Sequence, residues 1–169
     1  FTTAKGLSGG LPQSALVGRR ELMDIYAPNT MTSTHSGSPV ASAGTAANIK
    51  FLKEHNMCQE ALRKGKIMEE KLKALWKQFP ERISYVSGIG MAWAVTFAEA
   101  DTHAIHPEFA LEVTKKCNEN GLTFFAAVGA GITMKLTPPL TIPDDALIEG
   151  LEAYATAVAE ADAIMPAYK

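Results

Sequence analysis

Apolar positions along this chain follow two rhythms. From Asn56 to Phe79, the residues Met57, Ala61, Lys64, Met68, Leu72, Leu75 and Phe79 recur at helical spacing, and lysines and glutamates cover the other face. That predicts one long amphipathic helix, stopped by Pro80. Leu147, Leu151, Tyr154 and Val158 form a second stripe, predicting a final helix from about Pro143 to Ala163, with Thr141 and Asp144 spaced as a capping box. A third helix starts at Ser38-Pro39, where serine suits the cap and proline the first turn, and runs through "VASAGTAANIKFLKEH". Its small residues predict close packing against another element. A fourth spans Pro107 to Asn120, with Gly121 placed for a left-handed cap, and a short one spans Arg19 to Ile25. Shorter apolar runs bounded by Gly and Pro predict strands at Leu11–Gly18, Ile83–Val86, Met91–Phe97, "LTFFAAV" and "ITMKLT". Between Tyr26 and Pro39, the polar stretch "YAPNTMTSTHSGSP" reads as a long loop, and long loops in compact domains are often functional.

The order of these elements gives an α/β class. The first part looks like the end of one domain, and the part after the two long helices like a smaller layer of short strands covered by helices. No Gly-rich loop carries the dinucleotide or P-loop spacing. With 169 residues there is enough chain for one good core or parts of two domains. A net charge of -2 offers no electrostatic reason for nucleic acid or an anionic membrane as partner. The longest apolar run, "IGMAWAVTF", is too short to span a bilayer, and no signal peptide is visible. Cys58 and Cys117 are far apart, without metal-ligand spacing, which favours a reducing, cytoplasmic setting.

Candidate chemistry gathers in a few places. The opening, "FTTAKGLSGGLPQSALVGR", sets Lys5 among Gly6, Gly9 and Gly10. A lysine in a tight, partly desolvated turn can condense with an aldehyde, and glycines beside it let backbone approach a ring or a phosphate. The plainer alternative is a surface lysine in a turn. In "TSTHSGSP", the hydroxyls of Thr32, Ser33 and Thr34 precede a helix N-terminus, which suits a phosphate as well as it suits a solvated turn. His35 lies in the same loop, free to face a bound ring or solvent. His103 and His106 offer two ligands and no third, so no metal site is expected, and His55 ends a helix, where a cation suits the dipole. Lys135, inside the apolar "ITMKLTPPL", points to solvent or holds an anion.

Three ordered blocks together carry a resemblance. "TTAKGLSGGLPQSALVGRRELMD", "TSTHSGSPVASAG" and "ITMKLTPPLTIPDDALIEGLEA" resemble, respectively, the cofactor-lysine segment, the phosphate loop with its helix, and the C-terminal strand and helix of class III aminotransferases. These are fold-type I pyridoxal phosphate enzymes, and the resemblance covers essentially the whole chain. It implies that residues 1–48 are the end of a large pyridoxal-phosphate-binding domain, and 49–169 a connecting helix plus an α+β small domain. It implies a C-terminal portion of a longer chain, with the partners of the pyridine ring lying outside it. Lys5 would form the Schiff base with the cofactor and move the proton at the substrate Cα. Thr34, with Ser33 beside it, would bind the cofactor phosphate across a dimer interface. Lys135 matches a position where many members carry arginine for a substrate carboxylate. Here a point charge replaces the bidentate fork, which puts recognition of 2-oxoglutarate by that route in question. Ser38 replaces the usual asparagine before proline, and His35 the usual aromatic residue.

The resemblance implies transfer of an amino group from an amine, ω-amino acid or amino acid to a 2-oxo acid, by a homodimer or larger homo-oligomer. Two alternatives stand beside it. One is a racemase, aminomutase or decarboxylating relative using the same cofactor. The other is a non-catalytic truncated fragment.

Overall fold

The computed structural model describes residues 1–30, 32–99, 104–105, 107–125 and 131–166. It is mixed α/β, in two compact units, Phe1–Met57 and Cys58–Lys169. The expected division after residue 48 lies inside the helix that ends the first unit.

The first unit holds a two-stranded pair, β1 (Thr2–Thr3) with β2 (Ala15–Leu16), antiparallel with Thr2 opposite Leu16. A 3-10 turn, Lys5–Ser8, follows β1, and helices α1 (Arg20–Met23) and α2 (Pro39–Glu54) follow β2. The strand expected over 11–18 shrinks to two residues. The Ser8 hydroxyl donates to the Leu11 carbonyl, and Pro12 has no N–H, so the start of that run has little to offer a ladder. The helix expected over 19–25 is one turn long. α2 begins where expected, but the Ser38 side chain makes no cap bond; its carbonyl accepts from Ser42 N at 2.9 Å, and Pro39 sets the first turn. The small-residue face is used as expected: a Cβ added at Gly44 would sit 3.1 Å from the Ser8 carbonyl oxygen.

The second unit is built on the three-stranded antiparallel sheet β3 (Ile83–Ile89), β4 (Ala92–Phe97), β5 (Thr133–Leu136), in that spatial order. Helices α3 (Met57–Gln78), α4 (Pro107–Glu119) and α5 (Asp144–Ile164) accompany it. Met68, Leu72 and Leu75 from α3, Val95 and Phe97 from β4, Phe109 and Val113 from α4, and Leu147, Tyr154 and Val158 from α5 share one buried core. Both predicted stripes are therefore core faces. β3 runs on through Gly88 to Ile89, and the chain reverses at Gly90, whose φ is +56°. α3 passes so close that a Cβ at Gly65 would collide with the Gly90 backbone. Glycine at 65 is what lets helix and turn touch.

Two expectations fail for local reasons. Leu122–Phe125, the described part of the expected strand "LTFFAAV", is not in a strand. Leu122 N–H closes α4 by donating to Cys117 O at 2.8 Å, with Gly121 at φ +80° and its N–H on Asn118 O, the pattern of a Schellman cap. Phe124 then stacks on Tyr154, ring centroids 5.6 Å apart. The rest of that run lies outside the described residues, as do His103 and His106. The Thr141–Asp144 capping box is also absent. Pro143 takes the cap position, Asp145 Oδ1 accepts the Ala146 N–H at 2.8 Å, and Asp144 turns to Arg63. Among the described residues, no helix is long and apolar enough to cross a membrane, and no three His, Cys, Asp or Glu side chains form a metal-holding group.

Candidate functional site

Lys5 sits immediately after β1, at a sharp corner. Ala4 is extended, and Lys5 then flips to φ +58° to open the 3-10 turn. A left-handed conformation crowds Cβ against the following carbonyl, so bulky residues seldom keep it without cause. Among described residues the other non-glycine residues at positive φ are Asn29 and Asn56, and asparagine tolerates that region. The turn is held from α2. Asn48 Nδ2 donates to Gly6 O at 2.8 Å and to Leu7 O at 3.0 Å, and Gly9 N–H returns to Gly6 O. The Lys5 side chain is exposed rather than partly desolvated, and its amine has no hydrogen bond or ion pair among the described residues. The surroundings fix the backbone of this lysine and leave its nitrogen free.

The hydroxyl loop closes on itself ahead of α2. Ser33 N–H donates to Ser36 Oγ at 3.0 Å, the two serine hydroxyls are 3.1 Å apart, and Ser36 N–H donates to Ser33 O. Ser33 is thus engaged within the turn. Thr34 and His35 are exposed, and the Thr34 hydroxyl has no partner among the described residues. No hydrogen bond joins this turn to the Lys5 turn among those residues.

Lys135 lies in the second unit, on β5 opposite Ala94 of β4. Its neighbours Met134 and Leu136 are buried and Lys135 is exposed, as strand alternation requires. It lines a cavity of about 390 Å³ between β5, Leu122–Phe125 and α5. Its amine is also without a partner among the described residues.

Three supporting residues escaped the sequence reading. Asn48 is one. Lys64, on the apolar stripe of α3, is buried, and its amine donates to Leu140 O (3.0 Å) and Ile142 O (2.6 Å), fastening the proline loop that follows β5. Arg82, also buried, reaches Asp162 Oδ1 at 2.7 Å and the carbonyls of Met165 and Pro166, closing the end of α5. Its guanidinium also lies 4.7 Å from the centre of the Phe109 ring. The signal available in advance was a cation in an apolar stripe at Lys64. At the start of α5, Arg63 bonds both Asp144 (2.7 Å) and Glu60 (2.9 Å), and holds both carboxyls below their usual range. Burial pushes the Cys117 thiol up to about 12, so it is no nucleophile.

Against known proteins, the family model described as aminotransferase class-III matches residues 1–158. The chain is 31% identical over 150 residues to the 5-aminovalerate aminotransferase DavT of Pseudomonas putida, covering 89% of this chain and 35% of that protein. It is 33% identical over 163 residues to a leucine/methionine racemase of Thermococcus litoralis, covering 96% of this chain and 36% of that protein. The solved ornithine aminotransferase of Toxoplasma gondii superposes with a TM-score of 0.84 at 28% identity, over 97% of this chain and 37% of that one. The chain thus spans about a third of the length of the relatives it matches. A match along nearly the whole chain, in both sequence and fold, carries one conclusion: the chain belongs to the class III aminotransferase family.

Proposed function

We propose that this chain works within a pyridoxal-phosphate-dependent aminotransferase, in which Lys5 carries the cofactor. One observation supports this above the others. A lysine is kept at φ +58°, the Asn48 amide clamps the turn around it, and its amine is left without a partner. Backbone strain of this kind persists where a site needs it. An accessible primary amine in a rigid turn fits an aldehyde-bearing cofactor, and the free Thr34 hydroxyl ahead of α2 fits a phosphate.

Pyridoxal phosphate, when bound, supplies the electron sink that stabilises negative charge at the substrate Cα. The chain's residues do the rest. Lys5 holds the cofactor through its amine, and Lys5 Nζ takes the proton from the substrate Cα and returns it. Thr34 donates its hydroxyl to a phosphate oxygen, with Ser33 keeping the turn in shape through Ser36. Lys135 pairs with a substrate carboxylate as a point charge. The donor is an amine, ω-amino acid or amino acid, in line with the 5-aminovalerate and ornithine in the names of similar aminotransferases, and the acceptor is a 2-oxo acid. In the family arrangement residues 1–48 complete the large domain and 49–169 form the small one. Thr34 then serves the site of a second subunit, so the active form is a dimer or larger, and the unpaired cysteines suit the cytoplasm.

Borohydride reduction of the whole cofactor-loaded protein should fix the pyridoxyl group on the peptide holding Lys5. Label on any other lysine would remove the assignment. The identity to a leucine/methionine racemase favours one second reading, racemisation through the same Lys5. Loss of optical activity in a single amino acid, with no amino group passed to an added oxo acid, would select it.

A further inference from the structure

Lys64 breaks the pattern of α3 in a way that packing does not explain. It stands on the apolar stripe between Ala61 and Met68 and is only 6% exposed. Methionine would fill the same stripe without the cost of burying an ammonium group. The nearby carboxylates, Glu60 and Asp144, are held by Arg63. The Lys64 amine donates instead to two backbone carbonyls, Leu140 O at 3.0 Å and Ile142 O at 2.6 Å. Both lie between the end of β5 at Leu136 and the start of α5 at Asp144. Side-chain burial does little to hold that segment, since Thr137, Pro139, Leu140 and Thr141 are exposed. Pro138 and Pro139 have no N–H to bond and a fixed φ, so they pass a displacement along the chain rather than absorb it. β5 itself is four residues long and pairs on one side among the described residues. Its ladder ends at Leu136, one residue beyond Lys135.

We propose that Lys64 is a positioning residue for Lys135. By holding the carbonyls of Leu140 and Ile142, it fixes the chain that leaves β5. It thereby fixes the strand end from which the exposed Lys135 reaches a substrate carboxylate. One lysine amine can donate to both carbonyls at once, and a methionine to neither. This deepens the reading of Lys135 as the partner of a substrate carboxylate and rests on it, but not on the role of Lys5.

The test uses the whole protein. Lys64→Met keeps the stripe apolar and removes the donor. In the cofactor-free form, its amide exchange at residues 140–142 should be at least tenfold faster, while α3 and the β3–β4 hairpin keep their protection. Lys64→Ala should behave alike. Ethylammonium can enter the space left in Lys64→Ala and donate to the same carbonyls, so it should restore slow exchange there. It should not do so in Lys64→Met, where that space is filled, and sodium chloride at equal strength should restore neither. In the cofactor-loaded form, Lys64→Met should raise KM for 5-aminovalerate fivefold or more and leave kcat within twofold. Lys135→Met should also raise KM, and adding Lys64→Met to it should raise KM no further, because the two act through one contact. A merely structural role would add its own loss. Unchanged exchange at 140–142, an unchanged KM in folded Lys64→Met, or a full further rise in the double variant would overturn the inference. An unchanged KM in Lys135→Met would strike the carboxylate reading itself, and the positioning role with it. The exchange measurement needs no turnover, so it tells that failure from a failure of the Lys64 contact.

Discussion

In its proposed role, Lys5 carries a conflict between stability and use. Its left-handed backbone costs an L-residue about 1–2 kcal/mol, a penalty glycine escapes. Replacing it by glycine and by alanine separates the two effects, since both remove the amine. Lys5→Gly should be more stable to urea than Lys5→Ala by about 1 kcal/mol, and neither should turn over substrate. Equal stabilities would mean the turn relaxes when the lysine goes. Asn48→Ala tests the clamp. It removes two hydrogen bonds worth about 0.5–1.5 kcal/mol each, and when cofactor is added back to the cofactor-free whole protein it should attach to Lys5 more slowly, although the lysine remains. An unchanged attachment rate would show that the Asn48 bonds do not matter to the site. Lys5 and Lys135 were legible as residues because a cation among glycines or in an apolar strand breaks the local pattern. Asn48 was not, because a polar residue late in α2 looks like any solvated position, and its partners lie more than forty positions earlier.

Among the elements, the long helices and the strands β3, β4 and β5 could be read, and two other expected strands could not. α3 and α5 announce their buried faces over several turns, and each face meets the same core. The start of the strand expected over 11–18 and the 122–125 stretch are not strands because backbone groups are claimed locally, the Leu11 carbonyl by Ser8 in one case and the Leu122 N–H by the α4 cap in the other. Hydrophobic pattern marks which residues are buried. It does not mark which N–H groups are already taken. The same blindness hid Arg82, whose partners lie 80 residues and more away. Arg82→Met should cost about 3 kcal/mol, since it strands Asp162 and two helix-end carbonyls. A midpoint shift smaller than a third of that would mean water replaces it. The Arg63 cluster predicts a pH effect instead. Asp144 and Glu60 have lowered pKa values in the folded state, chiefly through their bonds to Arg63. Their contribution is present above the ordinary carboxylate range and is lost as pH falls through the lowered values. Wild type and Arg63→Gln should therefore differ near neutrality and converge at strongly acid pH. The gap should shrink in 1 M salt, because the groups are half exposed. A gap that persists in acid would assign the effect to packing by the arginine stem.

At the scale of the whole molecule the two units are unequal. The second buries Tyr154, Phe97, Phe109 and Met68 completely, whereas the first buries little beyond Ala41, Ser8 and Met57. Phe1, Leu16, Ile25, Tyr26 and Val40 of the first unit are all exposed. Apolar burial is the main source of stability, so the 169-residue chain expressed alone should show uneven protection. Amide exchange should be fast through 1–57 and slow in α3, α5 and the β3–β4 hairpin. Uniform protection would show that the first unit finds cover for its apolar face in solution.

The two thiols turn this inequality into a clock. Cys58 is exposed at the start of α3, while Cys117 is wholly buried and its proton is held to about pH 12. An alkylating reagent should add one mass increment to the native chain at once, at Cys58. The second increment can arrive only when α4 leaves the core. Its rate of arrival, followed by intact mass, therefore times the opening of that core directly, and it does so without any assay of activity, in mixtures and in cell extracts alike.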